Sequence, residues 1–265
     1  MGQPTWITQG SKPATHPDLS PDGQWLVYGA LGDQQEDLHL IKIDGTGAHQ
    51  LTNDLAKDRA PQWSNDGRRI VFLSDRSGRY EAWLINADGS GLRQLTWTTG
   101  LQVQRPIWSP DDKRILCNVQ PGGVPFVIET DVPWQQQTPQ PLTIKNTPSL
   151  WSFGLSWSHD GQRIAARFRD INKDQNRIGV YDFATQQYEL LTDFGNMPTW
   201  CNDDRRILFQ QRSAAYLVDS QTKRVRTLFS IAPNQLNSMV LSSDNRILIL
   251  GLTTSESDVW LMKLP

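Results

Sequence analysis

Ala60-Pro-Gln-Trp-Ser-Asn-Asp-Gly67 is the stretch whose reading decides the fold. Its second half recurs along the chain. The copies are Leu19-Ser-Pro-Asp-Gly23, Trp63-Ser-Asn-Asp-Gly67, Trp108-Ser-Pro-Asp-Asp112, Trp157-Ser-His-Asp-Gly161, Trp200-Cys-Asn-Asp-Asp204 and Leu241-Ser-Ser-Asp-Asn245. Their first residues stand 44, 45, 49, 43 and 41 positions apart. Self-similarity at such a period marks a repeat architecture, in which each unit buries its faces against its neighbours.

One unit shows what the repeat builds. Ala-Pro-Gln-Trp63 reads as a short extended segment and Ser-Asn-Asp-Gly67 as a tight turn. Arg69-Ile-Val-Phe-Leu-Ser74 is a β-rich run, and Asp75–Arg79 is a polar loop. Glu81–Asn86, the Asp88-Gly-Ser-Gly91 turn and Arg93-Gln-Leu-Thr96 complete a four-stranded antiparallel meander. Asp holds the third turn position in every copy. Gly, Asp or Asn, the residues that tolerate a left-handed backbone, hold the fourth. Arg69, Arg114, Arg163, Arg206 and Arg246 follow the turns. Such equivalence across copies predicts scaffold roles for the turn Asp and Arg residues.

A four-stranded meander cannot hide both faces alone, whereas six arranged around an axis can. The expected fold is therefore all-β: a six-bladed β-propeller occupying residues 1–265 as one domain. Five repeats end in a fourth-strand signature such as Gln50-Leu-Thr52 or Gln94-Leu-Thr96, while the last blade, about 233–265, stops one strand short. Trp6-Ile7-Thr8 carries the missing signature, so residues 4–9 are expected to complete the last blade and close the ring.

The pattern Pro-x-Trp-Ser-Pro-Asp-Gly, then a strand, then Asp-Gly-x-Gly and Arg-x-Leu-Thr, resembles the TolB-type (PD40, WD40-like) propeller repeat. The second repeat carries it most fully. The likeness implies a bacterial propeller that binds proteins. By resemblance alone it suggests a periplasmic setting. Related propellers gate substrates for peptidases or sit on larger bacterial proteins as sensors, so the chain is also read as a candidate fragment of something longer.

The bulk composition narrows the function classes. Charged residues of both signs are interspersed and the net charge is −2, which gives no sign of nucleic acid. Mean hydropathy is −0.51, and no apolar run is long enough to insert in a membrane. Cys117 and Cys201 fall in non-neighbouring repeats and are expected to stay unpaired. The start of the chain has no signal-peptide character. A monomer is expected. Enzyme signatures such as Gly-x-Ser-x-Gly or His-Glu-x-x-His do not occur.

Function should lie where the copies differ. Residues entering the inner strands, together with the loops between second and third strands, line the channel mouth. There His16, Arg59, Arg105, Trp151, Phe153 and Met197, with Arg76 reaching the rim, form a partner-binding set of the kind found in interface hot spots. A protein or peptide partner is the first expectation and a small ligand the second. The alternatives are a lyase or hydrolase with its site at the channel mouth, or a substrate-gating domain of a peptidase; His16 and Asp58 are the groups at the depth such chemistry needs. Asp170, Asn172 and Asp174 stand at alternate positions, as in the first half of a calcium loop. Gln175 replaces the required Gly and Tyr181 the bidentate Glu, so a solvated loop competes with a Ca²⁺ site. No other cofactor is implied.

Overall fold

The computed structural model describes residues 5–8, 14–32, 35–120, 123–142, 150–170, 175–242, 244–253 and 257–263. Blade one is made of Ala14–Leu19, Trp25–Leu31, Glu36–Lys42 and His49–Gln50. Blade two is Asp58–Trp63, Arg69–Ser74, Glu81–Asn86 and Arg93–Gln94. Blade three is Gln102–Trp108, Arg114–Gln120, Phe126–Glu129 and Gln140–Pro141. Blade four is Leu150–Trp157, Arg163–Asp170, Gln175–Asp182 and Gln187–Leu190. Blade five is Asn196–Trp200, Arg206–Gln211, Ala214–Asp219 and Val225–Ser230.

The six-bladed expectation is thereby corrected in its count of whole blades. Five blades are continuous in sequence, each an antiparallel sheet whose strands follow chain order. A further four-stranded sheet is a composite of both chain ends. Gln235–Leu241, Ile247–Thr253 and Ser257–Lys263 pair in order, and Thr5–Trp6 adds the outermost strand. The register is Thr5 opposite Leu261 and Trp6 opposite Trp260. Of the expected span 4–9, Thr5–Trp6 form the described strand, Ile7 and Thr8 lie buried beyond it, and residues 4 and 9 fall outside the described residues. Ile7 and Thr8 occupy the place that Leu95 and Thr96 hold after Arg93–Gln94.

The core lies between sheets. One cluster joins Val27 and Leu40 of blade one to Trp63 and Phe72 of blade two. Others join Leu84 to Trp108, Leu116 to Trp157, Ile178 to Trp200 and Leu217 to Met239. The last joins Ile249 of the composite sheet to Leu19 and Leu26 of blade one, with Ile7 among them. Each sheet face is covered by the next, and the series returns to its start. That circular burial is the stabilisation a lone meander lacks.

The turns are built as local cages. The Ser hydroxyl donates to the turn Asp at 2.5 Å in the pairs Ser20–Asp22, Ser64–Asp66, Ser109–Asp111 and Ser158–Asp160. The same hydroxyl accepts the N–H that opens the next strand, as at Arg69 and Arg163. At the fourth position, Asp112, Asp204 and Asn245 are left-handed, with φ of 56°, 50° and 59°. Asp112 also does what a glycine cannot: it accepts the N–H groups of Asn65 and Asp66 in the preceding blade at 2.7 and 2.8 Å. Asp204 does the same for His159 and Asp160. The recurrent Arg stacks on the next blade's Trp, with Arg69, Arg114 and Arg163 at 4.9, 4.9 and 4.7 Å from the ring centroids of Trp108, Trp157 and Trp200. The conspicuous polar residues of the repeat therefore hold blades together. Cys117 and Cys201 are buried and free.

Candidate functional site at the channel mouth

Every inner strand carries a register irregularity in its pairing with the second strand, for example between Thr15 and Asp18, Arg59 and Gln62, and Val103 and Arg105. The others fall at Gly154/Ser156, Asn196/Thr199 and Leu236/Ser238. A bulge re-aims the side chain beside it. The position three residues before the end of each inner strand, in or beside the irregularity, holds His16, Ala60, Arg105, Gly154, Met197 and Ser238 in turn, and four of these precede a proline. His16, Ala60 and Met197 are left-handed, with φ of 48°, 50° and 52°. For residues with a Cβ such angles are strained, by roughly 1–3 kcal/mol each, and such strain gathers at functional positions.

Two positions further along, the strand residues face a central cavity of about 230 Å³. Asp18, Gln62, Ile107, Ser156, Thr199 and Val240 line it, one from each sheet, so it lies on the ring axis. Three of them fasten neighbouring blades. Asp18 Oδ2 accepts the Trp63 N–H at 2.7 Å, Gln62 Oε1 the Trp108 N–H at 2.9 Å, and Ser156 Oγ the Trp200 N–H at 3.0 Å.

Arg105 crosses the axis. Its Nη1 lies 3.8 Å from Met197 Sδ, two blades away, and Asn118 Nδ2 donates to its carbonyl. Among the described residues no carboxylate stands within ion-pair distance of its guanidinium, and Asp18 is the acidic group nearest to it electrostatically. His16 is exposed to solvent along the channel yet walled by protein. That enclosure, with Arg105 and Arg59 nearby, pushes its pKa down to about 4. Burial pushes Asp18 up to about 7, against the opposing pull of the Trp63 N–H and Arg105.

At the rim, Arg59 pairs with Glu36, Nε to Oε2 at 2.7 Å, and lies 4.3 Å from the Tyr80 ring centroid. Phe153 is half-buried, and the Arg167 guanidinium sits 5.3 Å from its ring centroid. Burial and the like charge of Arg169 hold Arg167 below its ordinary pKa. Sequence reading passed over Arg167; the available signal was its place directly opposite Phe153 in the sheet.

Other expectations meet the structure differently. Arg76 does not reach the rim. It turns into blade two, where Nη2 binds both oxygens of Asp58 at 3.0 and 2.9 Å and Nε donates to Ser74 Oγ at 2.8 Å. Asp58 is fully buried, and this pairing removes it from the channel chemistry considered for it. The Trp151 side chain lies outside the described residues, as do Asn172, Asp174 and the side chain of Asp170, which made up the calcium expectation. Among the described residues, no group of three or more His, Cys, Asp or Glu side chains could hold a metal ion. Among the described residues, no helix is long and apolar enough to cross a membrane.

The TolB beta propeller domain profile (PD40) matches residues 2–150. The chain belongs to this TolB-like propeller family. A TolB assigned in Agrobacterium tumefaciens superposes with a TM-score of 0.71 at 18% identity, covering 98% of this chain and 93% of that one. Oligogalacturonate lyase of Vibrio parahaemolyticus superposes with a TM-score of 0.68 at 9% identity, covering 99% and 93%. At these identities the likeness concerns fold alone. In sequence, the uncharacterized peptidase YuxL of Bacillus subtilis is 27% identical over 157 residues, which is 57% of this chain and 22% of that protein. Two further curated relatives match over 32% and 9% of their lengths. The chain therefore spans under a third of these curated relatives.

The two axial groups make opposite contributions to pH dependence. His16 has a lowered folded pKa, so its contribution is lost as pH falls from about 6.5 to about 4. Asp18 has a raised folded pKa, so its contribution is present at low pH and lost as pH rises from about 4 to about 7. Over pH 4–6.5 the two slopes oppose each other. Chemical denaturation of Asp18→Asn across that range should show stability rising with pH more steeply than in the parent, and His16→Gln the reverse. Parallel pH profiles for all three proteins would refute this assignment.

Proposed function

We propose that this propeller is a binding module that holds an anionic protein or peptide segment at its channel mouth. The observation that carries the proposal is the state of charge there. Arg105 and Arg167 have no carboxylate partner among the described residues, while the acidic groups nearby are engaged: Glu36 by Arg59, Asp58 by Arg76 and Asp18 by the Trp63 N–H. Partly desolvated guanidinium groups beside Phe153 and Met197 form the kind of surface that supplies most of an interface's binding energy. The same engagement of the carboxylates argues against a lyase or hydrolase site built from them. A second reading, a domain that filters substrates for a peptidase, draws support from the likeness to YuxL; it uses the same mouth.

Selection of binders from a random displayed peptide library tests the proposal. Enrichment of Asp and Glu is expected, and Arg105→Glu should weaken the selected peptides roughly thirtyfold or more, the scale of a hot-spot loss. Peptides that bind Arg105→Glu as tightly as the parent would overturn it.

A further inference from the structure

Blade five differs from the other sheets at its outer edge. Its outermost strand, Val225–Ser230, is six residues long and has no neighbour on its far side among the described residues. The outer strands elsewhere are two residues long, at Thr5–Trp6, His49–Gln50, Arg93–Gln94 and Gln140–Pro141, or four, at Gln187–Leu190. Short edge strands blunt a sheet's capacity to add further strands; a long one retains it. Val225, Arg226 and Thr227 are exposed.

The same edge borders a basic groove of about 500 Å³. Arg205, Arg206, Arg224 and Arg226 line it, and among the described residues Asp219 is its sole acidic lining residue. The register puts Arg226 opposite Leu217, and Arg206 opposite Asp219, so these side chains share one face of the sheet. Asp219 is engaged by Arg205 at 2.7 Å, and Arg206 is engaged by Asp203 at 2.5 Å. The neighbouring Lys223 pairs with Glu189 at 2.7 Å. Arg224 and Arg226 have no carboxylate within ion-pair distance among the described residues. In a chain of net charge −2 this concentration of guanidinium groups is a local reversal of sign.

We infer that the outer edge of blade five takes up an extended acidic peptide segment as a fifth strand, with its alternate carboxylates over Arg224 and Arg226. The open edge supplies main-chain N–H and C=O groups, which give affinity without regard to sequence. The groove supplies the selection, because side chains of an added strand reach that face at every second residue. The expected ligand therefore has Asp or Glu at alternate positions, a pattern distinct from a mere acidic run. The site lies away from the channel mouth and does not depend on the function proposed there.

The test uses the full chain and a terminally blocked, fluorescent peptide alternating Glu with Thr. A control peptide of the same composition has its Glu residues gathered at one end. Anisotropy should show tighter binding of the alternating peptide, and amide exchange should show new protection within Val225–Ser230. Joint substitution Arg224→Glu and Arg226→Glu should weaken binding roughly thirtyfold, whereas Lys113→Glu, an exposed charge reversal outside both the mouth and this edge, should leave it unchanged. Both edge arginines are exposed, and the milder Arg224→Gln with Arg226→Gln should give a smaller loss in the same direction. No binding, equal binding of the two peptides, absent protection at the edge strand, or an equal loss on Lys113→Glu would each overturn the inference.

Discussion

Arg76→Met is expected to destabilise the fold by about 3–5 kcal/mol, the cost of leaving a buried charge without its partner. Asp58 is fully buried, and Arg76 supplies both of its short guanidinium contacts. Ser74 and Thr52 also bond the Asp58 carboxyl, yet burial still raises its pKa. Methionine keeps much of the apolar packing that Arg76 makes over Trp83 and Phe72. The loss should therefore come chiefly from the stranded carboxylate. The double variant Arg76→Met with Asp58→Asn should recover a large part of it, and a double-mutant cycle in urea measures the coupling. Additive single effects would show that the pair acts independently.

Removal of residues 1–10 should lower the melting temperature by roughly 10 °C or more. Burial of an aliphatic side chain like Ile7 is worth about 2–5 kcal/mol, and each kcal/mol shifts a chain of this size by roughly 2–4 °C. Deletion takes away Ile7, which is 4% exposed within the cluster joining the composite sheet to blade one. It also bares the outer edge of Ser257–Lys263, which Thr5–Trp6 now covers. Ile7→Ala should give part of the same loss without exposing that edge. An unchanged melting temperature for the deletion would refute closure of the ring by the N-terminal strand.

Much of this fold was legible because its determinants are local and repeated. Asp22, Asp66, Asp111 and Asp160 close their turns through residues two positions away, so one copy explains the next. The Thr that ends the fourth-strand signature is equally regular in what it does, for Thr52, Thr96 and Thr192 accept the N–H of Leu38, Ala82 and Ile178. The ties between blades were not legible. Asp112 reaches Asn65, and Asp18 reaches Trp63, across more than forty residues, and no periodicity announces which copy's side chain faces which neighbour. Arg76 was misplaced for a related reason: a long side chain in a polar loop can reach outward or fold back, and the buried carboxylate of Asp58 decides the matter. At the mouth, the inner-strand alignment was enough to find His16, Arg105 and Met197, which share one position three residues before the strand ends. Arg167 enters from the second strand and needed the sheet register to be seen.

Where a selected peptide sits on the ring is read most directly by amide hydrogen exchange of its complex with the whole chain. Added protection around residues 14–18, 58–61, 103–106 and 196–199, reduced in Arg105→Glu, is the expected result. Protection confined to the turns at Ser64–Gly67 and Ser158–Gly161, or to the outer strands, would contradict a channel mouth that binds.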